Sequence, residues 1–213
     1  MNVTPTTWVV AVTGLALIGL IGGLQLVAVL RPTDPWTIDN VYRGDPTDTD
    51  PDANYAFNAA RDRAYALLGA GDVDQYREVC ARLIDDFPDN PALSNPGLVA
   101  WLCTLAPTGR VDSKQVLQMA RISHDAAAIE GGDKLDLILG ASLFRDGQYD
   151  EAIRVLTQLA GRLDRGSDST DQYQLACAKY FLALARFEMG HVVQSRRLLA
   201  EANRIVDGYP RSP

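Results

Sequence analysis

The hydrophobic and polar positions divide the chain into one uninterrupted apolar run and a long section with helical periodicity. The apolar run covers residues 8–30, reads WVVAVTGLALIGLIGGLQLVAVL and contains no charged side chain. As a helix it would be about 35 Å long, at 1.5 Å per residue. The hydrocarbon core of a bilayer is about 30 Å thick. The pattern therefore predicts a single transmembrane helix over 8–30, preceded by a short tail at 1–7.

A cleaved signal peptide is the competing interpretation of this run. Signal peptides begin with basic residues, have a shorter apolar stretch and end at a cleavage site flanked by small residues. Residues 1–7 contain no Lys or Arg, and the run ends at Leu30, followed by Arg31 and Pro32. These features favour a retained anchor. Within it, Gly19 and Gly23 form a GxxxG pattern, which predicts a surface for packing against another membrane helix.

The charges beside the apolar run bear on its orientation. Arg31 and Arg43 follow the run, whereas only the terminal amine precedes it, although aspartates at 34, 39 and 45 dilute this difference. The positive-inside rule places the more basic side in the cytoplasm. Three cysteines without a disulfide pattern agree with a reducing compartment. We therefore expect a single-pass membrane protein whose folded domain faces the cytoplasm.

Residues 31–54 are expected to form an extended linker. Prolines at positions 32, 35, 46 and 51 interrupt any continuous helix, and no alternating pattern predicts strands. Aspartates at 48, 50 and 52 alternate as they do in a calcium-binding loop. However, Ala53 and Ala59 occupy the places where an EF-hand needs glycine and glutamate. The sequence therefore predicts an acidic tether and no calcium site.

From residue 55 onward, apolar residues recur at three- and four-residue spacing, which is typical of amphipathic helices. Clusters of glycine, proline and asparagine divide this section into segments. The pattern predicts eight helices and requires no strand. The second helix is expected over 73–87, and two later hairpins pair 134–146 with 149–163 and 170–189 with 192–206. We expect an all-α solenoid of about four helix hairpins over 55–206, followed by a tail at 207–213.

These hairpins resemble one another in sequence. One unit contains Leu139, Gly140, Leu143, the run GQYDEA at 147–152 and Leu156, and another repeats its spacing with Leu182, Ala183, Gly190, Ser195 and Leu199. This pattern resembles the tetratricopeptide repeat, whose helix pairs place small residues where two helices touch. The resemblance implies that Gly140 lies against a neighbouring helix.

A narrower resemblance covers about residues 55–206. Its motifs are Gly71-Asp72, Tyr76, Cys80, the run WLCTLAP at 101–107 and the run LGASLFRDG at 139–147. They are similar to the repeat module at the C-terminal end of bacterial eukaryotic-like serine/threonine kinases. The sequence contains no glycine-rich phosphate loop, no HRD and no DFG. The resemblance therefore implies a protein-interaction module without kinase activity.

Composition and charge narrow the possible functions further. Hydrophobic residues make up 47% and charged residues 22%, as in folded proteins. The formal net charge of −7 argues against binding nucleic acid. His124 and His191 have no partners at a spacing that suggests a site, and Cys80, Cys103 and Cys177 lie among apolar neighbours, as buried cysteines do. We therefore expect no enzyme, no cofactor, no metal site and no small-molecule substrate.

The repeat family also implies where a partner would bind. In such solenoids the first helix of each hairpin lines a concave groove. The residues assigned to this groove are Asn58, Arg61, Tyr65, Leu137, Ala141, Phe144, Arg145, Tyr180, Leu184 and Phe187. Aromatic side chains and arginine are common at interface hot spots. The alternative is that these side chains pack against neighbouring helices.

Together these features predict a non-catalytic, membrane-anchored adaptor or assembly scaffold that binds a protein or peptide partner. The alternative is a structural accessory subunit of a membrane protein complex. In that case the face formed by Gly19 and Gly23 would pack permanently against another subunit.

Overall fold

A computed structural model of the chain describes residues 51–86, 96–107, 109, 111–126, 132–165 and 169–208. These residues form eight α-helices and contain no strand, in agreement with the all-α prediction. The helices are α1 (Pro51–Gly69), α2 (Val73–Asp86), α3 (Pro96–Thr104), α4 (Ser113–Ala126), α5 (Gly132–Arg145), α6 (Tyr149–Leu163), α7 (Ser169–Glu188) and α8 (Val192–Asp207).

The predicted transmembrane helix over 8–30 lies outside the described residues, as do the tail at 1–7 and most of the linker. The helices that the structure does describe include none that is long and apolar enough to cross a bilayer. The account of the fold therefore concerns the helical section alone.

The eight helices stack as four consecutive hairpins. Each odd-numbered helix packs against the even-numbered helix that follows it, and each even-numbered helix then contacts the first helix of the next hairpin. Helix α5 also contacts both α3 and α7. Contacts between neighbouring hairpins of this kind are those of a helical-repeat solenoid.

The helix bounds agree closely with the predicted ones, with one instructive exception. Helix α1 begins at Pro51, inside the segment expected to be a linker up to residue 54. Proline disrupts the interior of a helix but is favoured at its first position, where the missing N–H group would have no partner. The prediction treated Pro51 as an interruption, whereas the structure uses it as a start. Helix α3 begins in the same way at Pro96, as expected.

Three of the four hairpins share the same glycine turn. Gly71, Gly147 and Gly190 have φ angles of 75°, 78° and 80°, in the left-handed region that favours glycine. In each turn the glycine N–H donates to the carbonyl three residues earlier, and the next N–H donates to the carbonyl five residues earlier, at 2.8–3.1 Å. This repetition explains why the sequence showed the hairpin units so clearly.

The hairpin of α3 and α4 is held differently. The Tyr76 hydroxyl on α2 donates to the carbonyl of Leu102 at 2.5 Å and accepts the N–H of Ala106 at 3.3 Å. Arg77 Nε, also on α2, donates to the carbonyl of Pro107 at 2.9 Å. Side chains from another hairpin therefore satisfy the carbonyl groups at the end of α3.

Gly140 lies at the contact between α5 and α6, as the resemblance implied. A Cβ atom added at Gly140 would lie 2.5 Å from both Cγ and Cδ2 of Leu156. A larger residue therefore fits there only if the Leu156 side chain or one of the two helices moves. The small residue thus fixes the spacing of these two helices.

Candidate partner-binding surfaces

The residues assigned to a concave groove divide into buried and accessible ones. Four large side chains are buried, with exposed fractions of 9% for Tyr65, 3% for Leu137, 7% for Phe144 and 3% for Tyr180. Ala141 is buried as well, whereas Asn58 is exposed. Arg61, Arg145, Leu184 and Phe187 are partly exposed. The set therefore does not form one continuous open surface.

The first helices of the last three hairpins converge on a cluster of aromatic rings. Phe181 of α7 is fully buried. Its ring centroid lies 6.3 Å from that of Trp101 on α3 and 6.0 Å from that of Phe144 on α5, both edge to face. Phe144 also contacts Tyr149, with ring centroids 5.8 Å apart. We call Trp101, Phe144 and Phe181 the aromatic centre, and it fills the space between α3, α5 and α7.

Arg145 belongs to the same interior arrangement. Its Nε donates to the carbonyl of Thr104 at 2.7 Å, and its guanidinium carbon lies 5.2 Å from the ring centroid of Phe144 and 6.0 Å from that of Phe181. Burial lowers the pKa of Arg145 to about 10, and the nearby Tyr76 opposes this shift. The group therefore stays protonated at neutral pH while it caps the end of α3. The guanidinium group of Arg145 therefore makes its contacts within the chain.

Tyr180 joins the two helices of the last hairpin. Its hydroxyl donates to Asn203 Oδ1 at 2.5 Å. Burial, with smaller contributions from Cys177 and Asp207, raises the pKa of Tyr180 to about 12.

Arg61 forms an ion pair with its neighbour Asp62 at 3.0 Å.

The expectation of exposed aromatic side chains on the first helices is therefore wrong for Tyr65, Phe144 and Tyr180. Their rings are enclosed because the neighbouring helices approach closely enough to use them as core. Leu184 and Phe187 remain partly accessible on α7, and partner binding by these two residues stays a prediction.

A groove lies instead between α6 and α8, with α7 as its floor, and no sequence motif pointed to it. We call it the α6–α8 groove; it encloses about 450 Å³. It is lined by Thr157, Ala160 and Gly161 of α6, by Asp164 directly after it, by Lys179, Leu182 and Arg186 of α7, and by Gln194, Arg197, Leu198 and Glu201 of α8. The size lies within the usual range for protein binding sites.

The middle of the groove is apolar and lined by small residues on one side. Leu182 is buried, and Ala160 and Leu198 are partly buried against the core. Gly161 lies in the last turn of α6, and a Cβ atom added to it would meet nothing within 4 Å. Neither backbone conformation nor packing within the described residues requires a glycine there. This glycine is the sequence signal that could have indicated the groove.

Charged side chains occupy the two ends of the groove. Lys179 Nζ lies 2.9 Å from Glu201 Oε2, and Arg197 Nε lies 3.7 Å from Glu201 Oε1. The hydrogen bond from Lys179 is the main cause that lowers the pKa of Glu201, and the charges of Arg197 and Arg204 act in the same direction. Lys179 therefore neutralises Glu201 at one end. At the other end, Arg186 Nη1 lies 3.4 Å from His191 Nδ1.

The residues that could carry chemistry are engaged elsewhere. His124 Nε2 lies 2.9 Å from Asp136 Oδ1 on the next helix. Asp136 also pairs with Arg162 of α6. Cys80, Cys103 and Cys177 are free thiols and buried, as predicted. Within the described part of the chain, no group of three or more potential ligand residues is placed to hold a metal ion.

One part of the chain matches a known protein family. The family model of the tetratricopeptide repeat matches residues 62–90, which cover the last eight residues of α1, all of α2 and the residues directly after it. No curated protein and no solved structure matches the chain. The match and the four helix hairpins together support a protein of the tetratricopeptide-repeat type, a class that typically binds other proteins. The narrower likeness to kinase-associated repeat modules stays a prediction.

Proposed function

We propose that the protein is a non-catalytic adaptor or assembly scaffold that holds a partner protein or peptide at a membrane. The observation that carries this proposal is the repeat match at 62–90 on a stack of four helix hairpins. Solenoids of this kind present long surfaces on which a partner can bind without any reaction. The likeness of 55–206 to kinase-associated repeat modules agrees with such a role.

The buried thiols support a role without catalysis. Burial raises the pKa of Cys177 to about 12. A hydrogen bond with Cys80, together with burial, raises the pKa of Cys103 well above its ordinary value. A nucleophilic cysteine needs the opposite shift and access to a substrate. At neutral pH Cys103 and Cys177 are therefore thiols inside the core.

The membrane part of the proposal rests on the apolar run at 8–30, and the cytoplasmic side rests on Arg31 and Arg43. It can be tested on the full chain by carbonate extraction of cell membranes. We expect the protein to stay in the membrane pellet, and the double variant Leu17→Asp, Leu20→Asp to become soluble. Each charge at the centre of a membrane helix costs about 2.5–3.5 kcal/mol.

The control for this experiment is Thr47→Asp, which adds a charge in the linker and leaves the apolar run intact. This variant should remain in the membrane pellet. Wild-type protein in the soluble fraction with its N-terminus intact would refute the anchor. The same conclusion would follow if the double variant sedimented like the wild type.

A structural subunit of a membrane complex is the second candidate, and the pattern of Gly19 and Gly23 favours it. Purification of the full chain in mild detergent separates the two functions. A permanent subunit should be recovered with its partners in constant stoichiometry, whereas an adaptor should be recovered largely alone. Gly19→Ile with Gly23→Ile should disrupt the subunit complex, because it removes the flat face on which a second helix can pack.

A further inference from the structure

The α6–α8 groove is open to solvent along its sides, and its shape suits an extended ligand. Thr157 and Gly161 on one rim and Gln194 on the other are exposed along its length. A site for a small molecule encloses most of its ligand. A groove with open sides instead fits a peptide or helix that enters with one face and leaves the other in solvent.

Helix α6 offers its side of the groove to a close neighbour. A glycine in a helix interior is destabilising relative to alanine. At Gly161 no atom of the described residues lies within 4 Å of the position that a Cβ atom would take. Glycine is favoured where another backbone must approach. Next to Ala160, it leaves room for the backbone of a ligand above the apolar floor.

The charges along the groove select the sign of that ligand. At one end Lys179 is paired with Glu201, and Arg197, with 72% of its side chain accessible, has only a 3.7 Å contact with the same carboxylate. At the other end, which we call the cationic end, Arg186 contacts His191 and forms no ion pair within the described ranges. The lining contains three cationic side chains against the two carboxylates of Asp164 and Glu201, in a chain with a net charge of −7. This excess of positive charge is complementary to a ligand that carries carboxylates.

An exposed apolar residue extends the groove at its cationic end. Val193, one helical turn before Arg197 on α8, has 83% of its surface exposed, the largest exposed fraction among the large hydrophobic residues described. An apolar side chain that no neighbour covers, beside an apolar floor with basic residues, is typical of a surface completed by a partner. The groove thus combines an apolar strip with positive charge.

We propose that the α6–α8 groove binds an acidic segment of a partner protein, which places an apolar side chain on the groove floor and carboxylates against Arg186 and Arg197. This inference rests on the proposed adaptor function and names the site and the chemical class of its partner. The segment lies with its backbone over Gly161, and its apolar side chain contacts Leu182 and Leu198.

The experiment uses a phage-displayed peptide library, selected on the immobilised full chain in detergent. The enriched peptides are then synthesised, and their affinities are measured by fluorescence polarisation. We expect peptides with acidic residues beside an apolar one. Arg186→Glu with Arg197→Glu should weaken their binding by about tenfold or more, because charges of opposite sign become like charges. Arg196→Glu, on the same helix but outside the groove lining, should leave the affinity nearly unchanged.

A second variant avoids the change of charge. Gly161→Leu should fill the groove and weaken binding by about tenfold, while the melting temperature does not fall because a Cβ atom at this position meets nothing within 4 Å and the rest of the side chain extends into the open groove. Gly69→Leu is the matched control, since a Cβ atom at this glycine in the last position of α1 also meets nothing within 4 Å. It should affect neither stability nor binding.

Several results would overturn the inference. Enrichment of basic or neutral peptides would refute the assigned charge, and a failure to enrich any peptide would refute a peptide site. Unchanged affinity in both groove variants would place the site elsewhere and leave the adaptor function standing. If changing the aspartates at 34, 39 and 45 to asparagine raised the peptide affinity, the chain's own acidic segment would be the occupant. The adaptor function itself is refuted only if purification in mild detergent recovers the protein with its partners in constant stoichiometry.

Discussion

The aromatic centre and the α6–α8 groove differ in what surrounds their apolar side chains. Around Phe181, rings from α3 and α5 both contact the Phe181 ring, which is fully buried. Around Leu182, the next residue on the same helix, small residues of α6 and long charged residues of α8 leave an opening. The repeat register therefore identifies which side of a helix faces inward, but the size of the neighbouring side chains decides whether that side is open.

The comparison also reverses the roles that the sequence assigned to aromatic and small residues. Large rings on the first helices looked like contacts for a partner, yet they form the core that holds three hairpins together. Gly161, which attracted no attention, lines the opening. The following experiments test this contrast, from the largest expected effect to the smallest.

Removing a ring from the aromatic centre should give the largest loss of stability. Phe181→Ala should lower the free energy of unfolding by about 3–5 kcal/mol, the usual cost of truncating a buried phenylalanine. Phe187→Ala, on the same helix but partly exposed, should cost clearly less. Both can be measured by urea denaturation followed by circular dichroism. Equal losses for the two variants would contradict the distinction between core and surface on α7.

Arg145 should matter for folding and not for binding. Arg145→Met removes the hydrogen bond to the Thr104 carbonyl and should lower the free energy of unfolding by about 1–3 kcal/mol. Arg145→Lys should restore only part of this loss, because an ammonium group does not reproduce the planar guanidinium over the rings. If an Arg145 variant kept its full stability but bound the selected peptides more weakly, Arg145 would belong to the binding surface.

Two glycines on adjacent helices should respond to the same change with opposite signs. Gly140→Ala should lower the free energy of unfolding by about 1–3 kcal/mol, since its Cβ would lie 2.5 Å from Leu156. Gly161→Ala should raise it by about 0.5–1 kcal/mol, because alanine is the better helix former and the site is open. Thermal melting of the two variants checks the prediction. A stabilised Gly140→Ala protein would refute the close approach of α5 and α6.

The ion pair between Lys179 and Glu201 should make the stability of the protein depend slightly on pH. The pKa of Glu201 is lower in the folded protein, mainly through Lys179, so the pair stabilises the folded state above about pH 4.5. This contribution is lost as the pH falls through the lowered pKa. The pair is partly exposed, so the effect should not exceed about 1 kcal/mol.

Glu201→Gln tests this effect, because it should flatten the acidic limb of the stability curve. Glu188→Gln, an exposed glutamate without an ion pair among the described residues, should leave the curve as it is. Equal curves for wild-type and Glu201→Gln protein between pH 3 and 6 would show that the pair contributes nothing.

Much of the fold could be predicted because the signals are local. Gly71, Gly147 and Gly190 stand at turns that need a positive φ, and apolar spacing marks the helices between them. Gly140 could be placed against a helix because its neighbours follow the repeat spacing. Pro51 was misjudged since a proline signals either an interruption or the first position of a helix.

The candidate site was harder to predict because it depends on distances between helices. Phe144 and Tyr180 would have been exposed if the neighbouring helices had been farther apart. The periodicity of the sequence does not predict the distance between neighbouring helices. The groove is formed by residues between positions 157 and 201, and of these only Leu182 belongs to the repeat pattern. Gly161, a glycine in the last turn of α6 that no packing within the described residues requires, offered a local sign.

Photo-crosslinking tests the central contrast most directly. Benzoylphenylalanine is introduced into the full chain at Gln194 on the exposed rim of the groove or, in a second protein, at Phe187 on the accessible part of α7. Each protein is irradiated with a selected acidic peptide. We expect the peptide to become crosslinked from position 194 and not from position 187. Crosslinking from position 187 alone would contradict the account and return the partner to the surface first inferred from the repeat family.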